Sequence, residues 1–338
     1  GPETLIPLLS DMRRENVHYC VMEVSSHALD QQRVHCLRFE LAIFTQLTQD
    51  HLDYHKTMER YYQAKRRFFA EDPCPRQILI NKDCLYGRRL LEEFLDARCF
   101  SLEGPAHYQA ADIMTSFQGS HFRFRFKGRE IPFKILLPMR HNVANVVTVL
   151  SALDLLGFDV EEFRGVLQEI PGIPGRLERV PSSGDFSVFV DYAHTPDAFE
   201  CVLSEARKLG PRRILTLFGC GGDRDRTKRP LMTQAACQWS DVVVLTSHKP
   251  RSEDPLMILE DMKQGLLLHR NPGVQVLELP DREQAIEKII QLAEPGDVVF
   301  VLGKGHEDYQ ILGDRKIPFD DRLVVQECLK KKNRVFLS

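Results

Sequence analysis

The chain has 338 residues, 43% of them hydrophobic and 28% charged, with 45 Lys and Arg against 48 Asp and Glu for a formal net charge of −3. That length exceeds one ordinary domain and suits two buried cores, while the near-neutral balance excludes a polybasic nucleic-acid coat or an acidic tail as its main business. No run approaches the roughly 18 consecutive apolar residues of a membrane span, and the opening Gly1-Pro2-Glu3-Thr4 lacks the basic and apolar regions of a secretory signal, so a cytoplasmic protein is expected.

In chain order, apolar runs at 17–24, 41–45 and 77–80 read as buried strands, with helical patterns at 57–69 and 85–95. This is the βαβ rhythm of a parallel sheet. Residues 111–117, 121–126 and 131–137 alternate apolar with polar, divided by Gln118-Gly119 and Lys127-Gly128, and predict an antiparallel meander. A helix over 142–156 stops at Gly157. Pro171-Gly172-Ile173-Pro174-Gly175 breaks both periodicities and marks a linker. The βαβ rhythm then restarts, with strands at 186–191, 213–218, 242–246, 274–279 and 298–302 and helices at 196–208, 228–239, 256–267 and 282–292. The expected architecture is two α/β domains, 1–173 and 174–338, with a hinge near residue 173 that allows rigid-body closure. Nine cysteines without a C-x-x-C pair argue against a zinc ribbon. They read as reduced thiols, several of them, such as Cys20, in core runs.

Ligands of α/β sheets bind beyond the carboxyl ends of the strands, and polar clusters fall there. Glu23-Val24-Ser25-Ser26-His27 ends the first run, and Asp50-His51-Leu52-Asp53-Tyr54-His55 follows the second, with Lys65 on the next helix. Three readings stand: a solvated polar loop, a site where Glu23 and His51 share a hard divalent cation, or a hydrolase metal site bound by histidine and aspartate, which needs further His or Asp ligands. His141-Asn142-Val143-Ala144-Asn145 opens a helix, either as an ordinary cap at Asn142 or as a place for a phosphate or base edge. Gly175-Arg176 lies at the hinge, as a surface charge or a phosphate ligand. Asp191-Tyr192-Ala193-His194-Thr195-Pro196-Asp197 leads from a strand into a helix. In Phe218-Gly219-Cys220-Gly221-Gly222-Asp223-Arg224 three glycines are expected to let backbone approach a ligand, but the G-x-G-x-x-G dinucleotide spacing is missing. His248-Lys249-Pro250-Arg251 and Gly303-Lys304-Gly305-His306-Glu307 each follow a strand. The full phosphate-loop spacing occurs nowhere in the chain.

Together these motifs resemble the Mur ligase family, and within it the MurE branch. The resemblance rests on E-V-S-S-H-A-L-D-Q-Q-R-V at 23–34, D-H-L-D-Y-H at 50–55, A-K-R-R-F-F at 64–69, H-N-V-A-N at 141–145, D-Y-A-H-T-P-D at 191–197, F-G-C-G-G-D-R-D-R-T-K-R-P at 218–230 and G-K-G-H-E-D-Y-Q at 303–310. It implies a central parallel-sheet, ATPase-like domain and a C-terminal Rossmann-like α/β domain. It also implies an ATP-dependent acid–amino-acid ligase of peptidoglycan precursor synthesis. There ATP phosphorylates a carboxylate of UDP-MurNAc-L-Ala-D-Glu, and the amine of a diamino acid displaces phosphate from the acyl phosphate. By the same resemblance Glu23 and His51 match Mg2+ ligands, and Lys65 matches a lysine carbamylated by carbon dioxide. Ser25, Gln31 and Arg33 match positions that bind the muramoyl dipeptide. Asn142, Asn145, Arg176, Asp191 and His194 match the nucleotide side, and Arg224, His248, Lys249, Pro250, Arg251, Gly303 and Glu307 the amino-acid pocket. A monomer acting on small molecules, without nucleic acid, is implied.

Two departures bear on this expectation. The family's first strand, its Gly-Lys-Thr phosphate loop and its uridine-binding domain would lie upstream of Gly1, so an N-terminally shortened chain is expected, a poor ATPase alone. Diaminopimelate enzymes typically read Asp-Asn-Pro-Arg where this chain has His248-Lys249-Pro250-Arg251. Arg251 can take the distal carboxylate of meso-diaminopimelate, which lysine lacks, so diaminopimelate is the expected acceptor. An L-lysine-adding enzyme and a non-catalytic module that binds muramoyl peptide or amino acid are the alternatives. A folate polyglutamate ligase is disfavoured by the E-V-S-S-H and G-K-G-H-E forms.

Overall fold

The computed structural model describes residues 1–182, 184–269 and 271–336. One six-stranded sheet has the order β1 (Leu41–Phe44), β2 (Gln77–Asn81), β3 (Arg98–Ser101), β4 (Tyr108–Ser116), β5 (Gly119–Phe126), β6 (Arg129–Ile135). β1 to β4 pair in parallel. β5 and β6 are joined by Lys127-Gly128, both with positive φ, the twist of a tight hairpin turn. The helix Met58–Ala70 starts where the Thr57 hydroxyl accepts a hydrogen bond from the Arg60 amide. It buries Tyr61, Tyr62 and Phe69 against Phe44, Ile80 and Leu90.

A second six-stranded sheet comprises β7 (Glu178–Val180), β8 (Ser187–Asp191), β9 (Ile214–Phe218), β10 (Val242–Leu245), β11 (Gln275–Glu278) and β12 (Val298–Leu302), in the order β11-β10-β9-β12-β8-β7. All pairs are parallel except β7 with β8. A hairpin, β13 (Tyr309–Leu312) and β14 (Arg315–Pro318), and a helix, Asp321–Phe336, follow. Every residue of β9, β10 and β12 is buried, because the period of two sends alternate residues into two cores. Phe189, Phe218, Leu245 and Phe300 meet the helices Pro196–Lys208 and Lys228–Trp239 on one face. Val190, Leu217, Val244 and Val301 meet Arg282–Leu292 and Val325 on the other.

The chain divides into two compact units: residues 1–109, 125–129 and 147–160, and residues 110–124, 130–146 and 161–338. Most predicted elements form within one or two residues of expectation. The strand expected over 17–24 does not: the segment is irregular, Val21 is 98% exposed, and no strand pairs with it. Its apolar run is that of a buried strand, but among the described residues it has no ladder partner. Cys20, on this segment, is exposed rather than a core thiol; Cys99, Cys220, Cys237 and Cys328 are the buried ones. Among the described residues no helix is long and apolar enough to cross a membrane.

The Arg282–Asp321 ion pair is almost fully buried and bidentate, at 2.9 and 2.6 Å. Replacing Arg282 by Met leaves Asp321 charged and unpaired, an expected loss of about 3–5 kcal/mol. Urea unfolding checks this; a loss below about 1 kcal/mol would show that the pair does not hold the unit together.

Candidate active site

In the first unit the polar clusters are drawn together by aromatic packing. Ser25 caps a short helix, its hydroxyl accepting from the Ala28 amide at 3.2 Å. The next residue, Ser26, is buried and lies 2.9 Å from His55 Nε2. The His27 ring sits 4.9, 4.2 and 5.4 Å from those of His51, Tyr54 and His55, and His55 stacks on Tyr61 at 5.0 Å. Burial lowers the pKa of His55, and its neighbour His27 lowers it further. His51 takes a left-handed conformation, φ 56°, and its amide donates to Asp50 Oδ1 at 2.9 Å. Lys65 Nζ lies 5.7 Å from the centre of the Tyr61 ring, and His51 approaches the same ring at 5.9 Å. Glu23 is exposed on the irregular segment rather than buried at a strand end. It is still near enough to oppose the fall in the Lys65 pKa that burial causes. Gln31 and Arg33 are exposed and bonded to each other, with Gln31 Nε2 3.4 Å from the Tyr54 hydroxyl.

Among the described residues no three His, Cys, Asp or Glu side chains gather closely enough to hold a metal ion. Glu23 and His51 supply one oxygen and one nitrogen donor. A third donor exists only if Lys65 carries an oxygen, and burial favours the neutral amine that carbon dioxide attacks. The donor set fits a hard cation on that condition.

In the second unit Asp191 ends β8. Its two oxygens accept from the amides of Leu177 and Ala193, each at 2.7 Å, so this carboxylate ties the hinge segment to the strand. His141 lies half-buried near Asp191 and Arg176, its Nδ1 buried and unpartnered; the sequence singled out its motif but not this residue. Burial lowers the pKa of His141, Asp191 opposes the fall, and Arg176 adds to it. Asn142 is no N-cap: the helix Arg140–Leu155 starts before it, and its amide donates back to Pro138 O at 2.8 Å. The Asn145 amide reaches Asn142 Oδ1 at 3.5 Å. The Arg176 guanidinium lies 4.8 Å over the Tyr192 ring, and His194 Nδ1 lies 2.8 Å from Tyr192 O. Gly175, φ +67°, is required by contact: a Cβ there would stand 2.1 Å from the His306 amide nitrogen.

Beyond β9, β10 and β12, a cluster of charged residues assembles. Two of the three loop glycines serve the protein's own packing and not a ligand's approach. A Cβ on Gly219 would stand 2.4 Å from Thr246 O, and one on Gly222 1.8 Å from Pro250 O, whereas Gly221 has only ordinary contacts with Arg224 and Arg251. The loop is held from beneath by Arg229, 1% exposed, which donates to Glu253 at 2.7 and 2.9 Å, Asp261 at 2.8 Å and Gly221 O at 3.1 Å. Sequence reasoning missed this hub because a buried arginine in a charge-alternating run looks like a surface one. Arg251 has φ +54° and donates from Nη1 to Gly222 O at 2.6 Å; its backbone is bonded to Ile311 and Gly313 around the β13–β14 hairpin. Arg224 is exposed beside it. Lys249 Nζ is 2.6 Å from Glu307 Oε1 and 3.7 Å from the centre of the Tyr309 ring. The His248 ring packs over Gly303, and burial holds its pKa well below the usual value. The arrangement offers guanidinium groups to a carboxylate and one carboxylate to an ammonium.

The profile described as the Mur ligase middle domain matches residues 4–153, and that of the Mur ligase, glutamate ligase domain matches residues 175–305. The UDP-N-acetylmuramoyl-L-alanyl-D-glutamate--2,6-diaminopimelate ligase of Solibacter usitatus (strain Ellin6076) is 45% identical over 334 residues, covering 97% of this chain and 67% of that protein. A solved structure of a ligase of that same name is 35% identical with a TM-score of 0.59, over 92% of this chain and 64% of that one. The MurF ligase from Thermotoga maritima in complex with ADP shares the fold, with a TM-score of 0.62 at 14% identity, over 88% of this chain and 63% of that one. The chain spans about two thirds of the length of the curated relatives it matches.

Replacing Asp191 by Ala orphans two amides, a cost of about 1–3 kcal/mol for each that stays dry. A loss of that size in the unfolding free energy is expected; an unchanged value would mean that water replaces the carboxylate.

Proposed function

This chain belongs to the Mur ligase family, and from that premise we propose that it is the nucleotide- and amino-acid-binding part of an ATP-dependent ligase that joins meso-diaminopimelate to UDP-MurNAc-L-Ala-D-Glu in the cytoplasm. The observation that carries the reading is the meeting of Arg224, Arg251 and Glu307 beyond adjacent carboxyl strand ends, in a chain with high identity to diaminopimelate ligases over nearly its full length. The functional domains are residues 1–173 and 174–338.

A free carboxylate is a poor electrophile. Transfer of the ATP γ-phosphoryl group to the D-glutamyl carboxylate makes one oxygen a leaving group. Attack by the acceptor's neutral amine then forms the amide, and the C–O bond to phosphate breaks. ADP, phosphate and the amine's proton leave. The relation to an ADP-bound family member supports ATP as the donor. Asn142, Asn145, Arg176, Asp191 and His194 form the nucleotide side, with Arg176 as the charge for a phosphate and Asp191 acting through the backbone it holds. Ser25, Gln31 and Arg33 take the muramoyl dipeptide. Glu23, His51 and the Lys65 carbamate would hold Mg2+, which when bound supplies positive charge to the phosphate oxygens. Arg251, with Arg224, takes the distal carboxylate of diaminopimelate, and Glu307 faces its ammonium.

Two outcomes are expected. Arg251→Ala lowers kcat/KM for meso-diaminopimelate by about 30-fold or more, the loss of a paired carboxylate, with little effect on use of L-lysine; an unchanged value for diaminopimelate removes the assignment. With 13C-bicarbonate, the parent protein shows a carbamate carbon signal by NMR that Lys65→Ala lacks. An identical signal in Lys65→Ala, or none in the parent, would exclude the carbamate at Lys65.

A further inference from the structure

The amino-acid pocket contains a cation of its own. Lys249 is 3% exposed, and its ammonium is fixed by Glu307 Oε1 at 2.6 Å on one side and by the Tyr309 ring at 3.7 Å on the other. Glu307 is the carboxylate the cluster offers to a ligand. The other nearby acid, Asp223, is exposed and committed to the Ser252 hydroxyl at 2.6 Å and the Ser252 amide at 3.2 Å. One half of Glu307 is therefore spent within the protein. Its second oxygen, Oε2, is buried without a partner, 3.8 Å from the equally unpartnered His248 Nε2. Buried polar atoms left open side by side call for a hydrogen-bond partner from a ligand, and Glu307 Oε2 calls for a donor. Any cation that comes to them also meets Lys249, with Arg251 and Arg224 close by.

We propose that Lys249 is a specificity-determining residue that selects the acceptor by the net charge of its distal end. This inference rests on the ligase reading and deepens it. Arg251 and Arg224 reward a distal carboxylate. Lys249 already neutralises Glu307, so a bare distal ammonium gains little there and is repelled. A distal zwitterion is accepted, because its carboxylate reaches the guanidinium groups while its ammonium donates to Glu307 Oε2. Rejection by an internal like charge is selection against the wrong ligand, a separate contribution from the attraction Arg251 supplies.

The test is a series of acceptors that differ only in distal charge: L-2-aminopimelate (anionic), meso-diaminopimelate (zwitterionic) and L-lysine (cationic). Their binding to this chain is measured by titration calorimetry, for the parent protein, Lys249→Met and Lys249→Arg. The parent is expected to bind the first two far better than L-lysine. In Lys249→Met the preference for diaminopimelate over L-lysine should fall about tenfold or more, because Glu307 is freed for a cation. Lys249→Arg, which keeps the charge, should retain the preference. If Lys249→Met keeps the parent's preference, or Lys249→Arg loses as much as Lys249→Met, the residue acts through packing and the proposal falls while the acceptor site stands. If none of the three amino acids binds any of the three proteins, the pocket is not an acceptor site, and the ligase reading of this cluster falls with the proposal.

Discussion

The amino-acid cluster depends on one buried contact, the grip of Arg282 on the carboxyl ends of two strands. Its guanidinium is clasped by Asp321 from the C-terminal helix, and it donates to Leu302 O at the end of β12 and to Ser247 O just beyond β10. Strand ends are where carbonyls run out of ladder partners, and these two carry the segments 303–307 and 248–251. An ionic donor with several N–H groups satisfies carbonyls from two strands at once, so both loops leave the sheet from a fixed origin. Arg229 does the same for the loop after β9, through Glu253, Asp261 and Gly221 O. The pocket's floor is thus built from charge, while its walls hang from strands buried on both faces.

That construction accounts for the electrostatics above it. Buried arginines and lysines need counter-charges, and here they have them: Arg282 in Asp321, Arg229 in Glu253 and Asp261, Lys249 in Glu307. Lys304, fully buried, donates instead to Tyr309 O, and its desolvation brings its pKa down to about 8. Arg224 and Arg251 are the guanidinium groups that face outward with a carboxylate still to gain. Burial and Arg224 both lower the pKa of Arg251, and a carboxylate between two guanidinium groups relieves that repulsion. The two guanidinium groups therefore favour an anionic neighbour before any detail of shape is considered.

Much of this was legible in the sequence, and what was not has physical causes. β8, β9, β10 and β12 read easily because strands buried on both faces are unbroken apolar runs. The helix Pro196–Lys208 reads as easily, with the Thr195 hydroxyl as its cap and Pro196 at its first turn. The helix Pro2–Arg14 was not read, although Leu5, Leu8, Leu9 and Met12 recur at helical spacing; it buries no residue. Segment 17–24 misled because an apolar run reports only side-chain character, whereas a strand exists only with a hydrogen-bonded neighbour. β3, β7 and the β13–β14 hairpin are four residues or fewer per strand, too short for a period to show. In the site, motif positions were legible but roles were not. Gly219 and Gly222 accommodate the protein's own carbonyls, and Asp191 serves two backbone amides; a sequence shows neither, because both follow from contacts across the sheet edge.

The two units build their polar clusters by different means, and this decides what each can do. In the first, imidazole, phenol and ammonium groups are held mainly by ring contacts, weak individually and compatible with a lysine that changes its covalent state. In the second, several charged groups are fixed by ion pairs or hydrogen bonds within that unit alone: Lys249 by Glu307, Arg251 by Gly222 O and the β13–β14 hairpin, Asp223 by Ser252. A pocket pre-set in this way loses little order on binding. On the proposed reading, a preference among amines would therefore be a property of residues 219–313 themselves, and changing Lys249 or Arg251 would alter it without touching the residues proposed for the nucleotide.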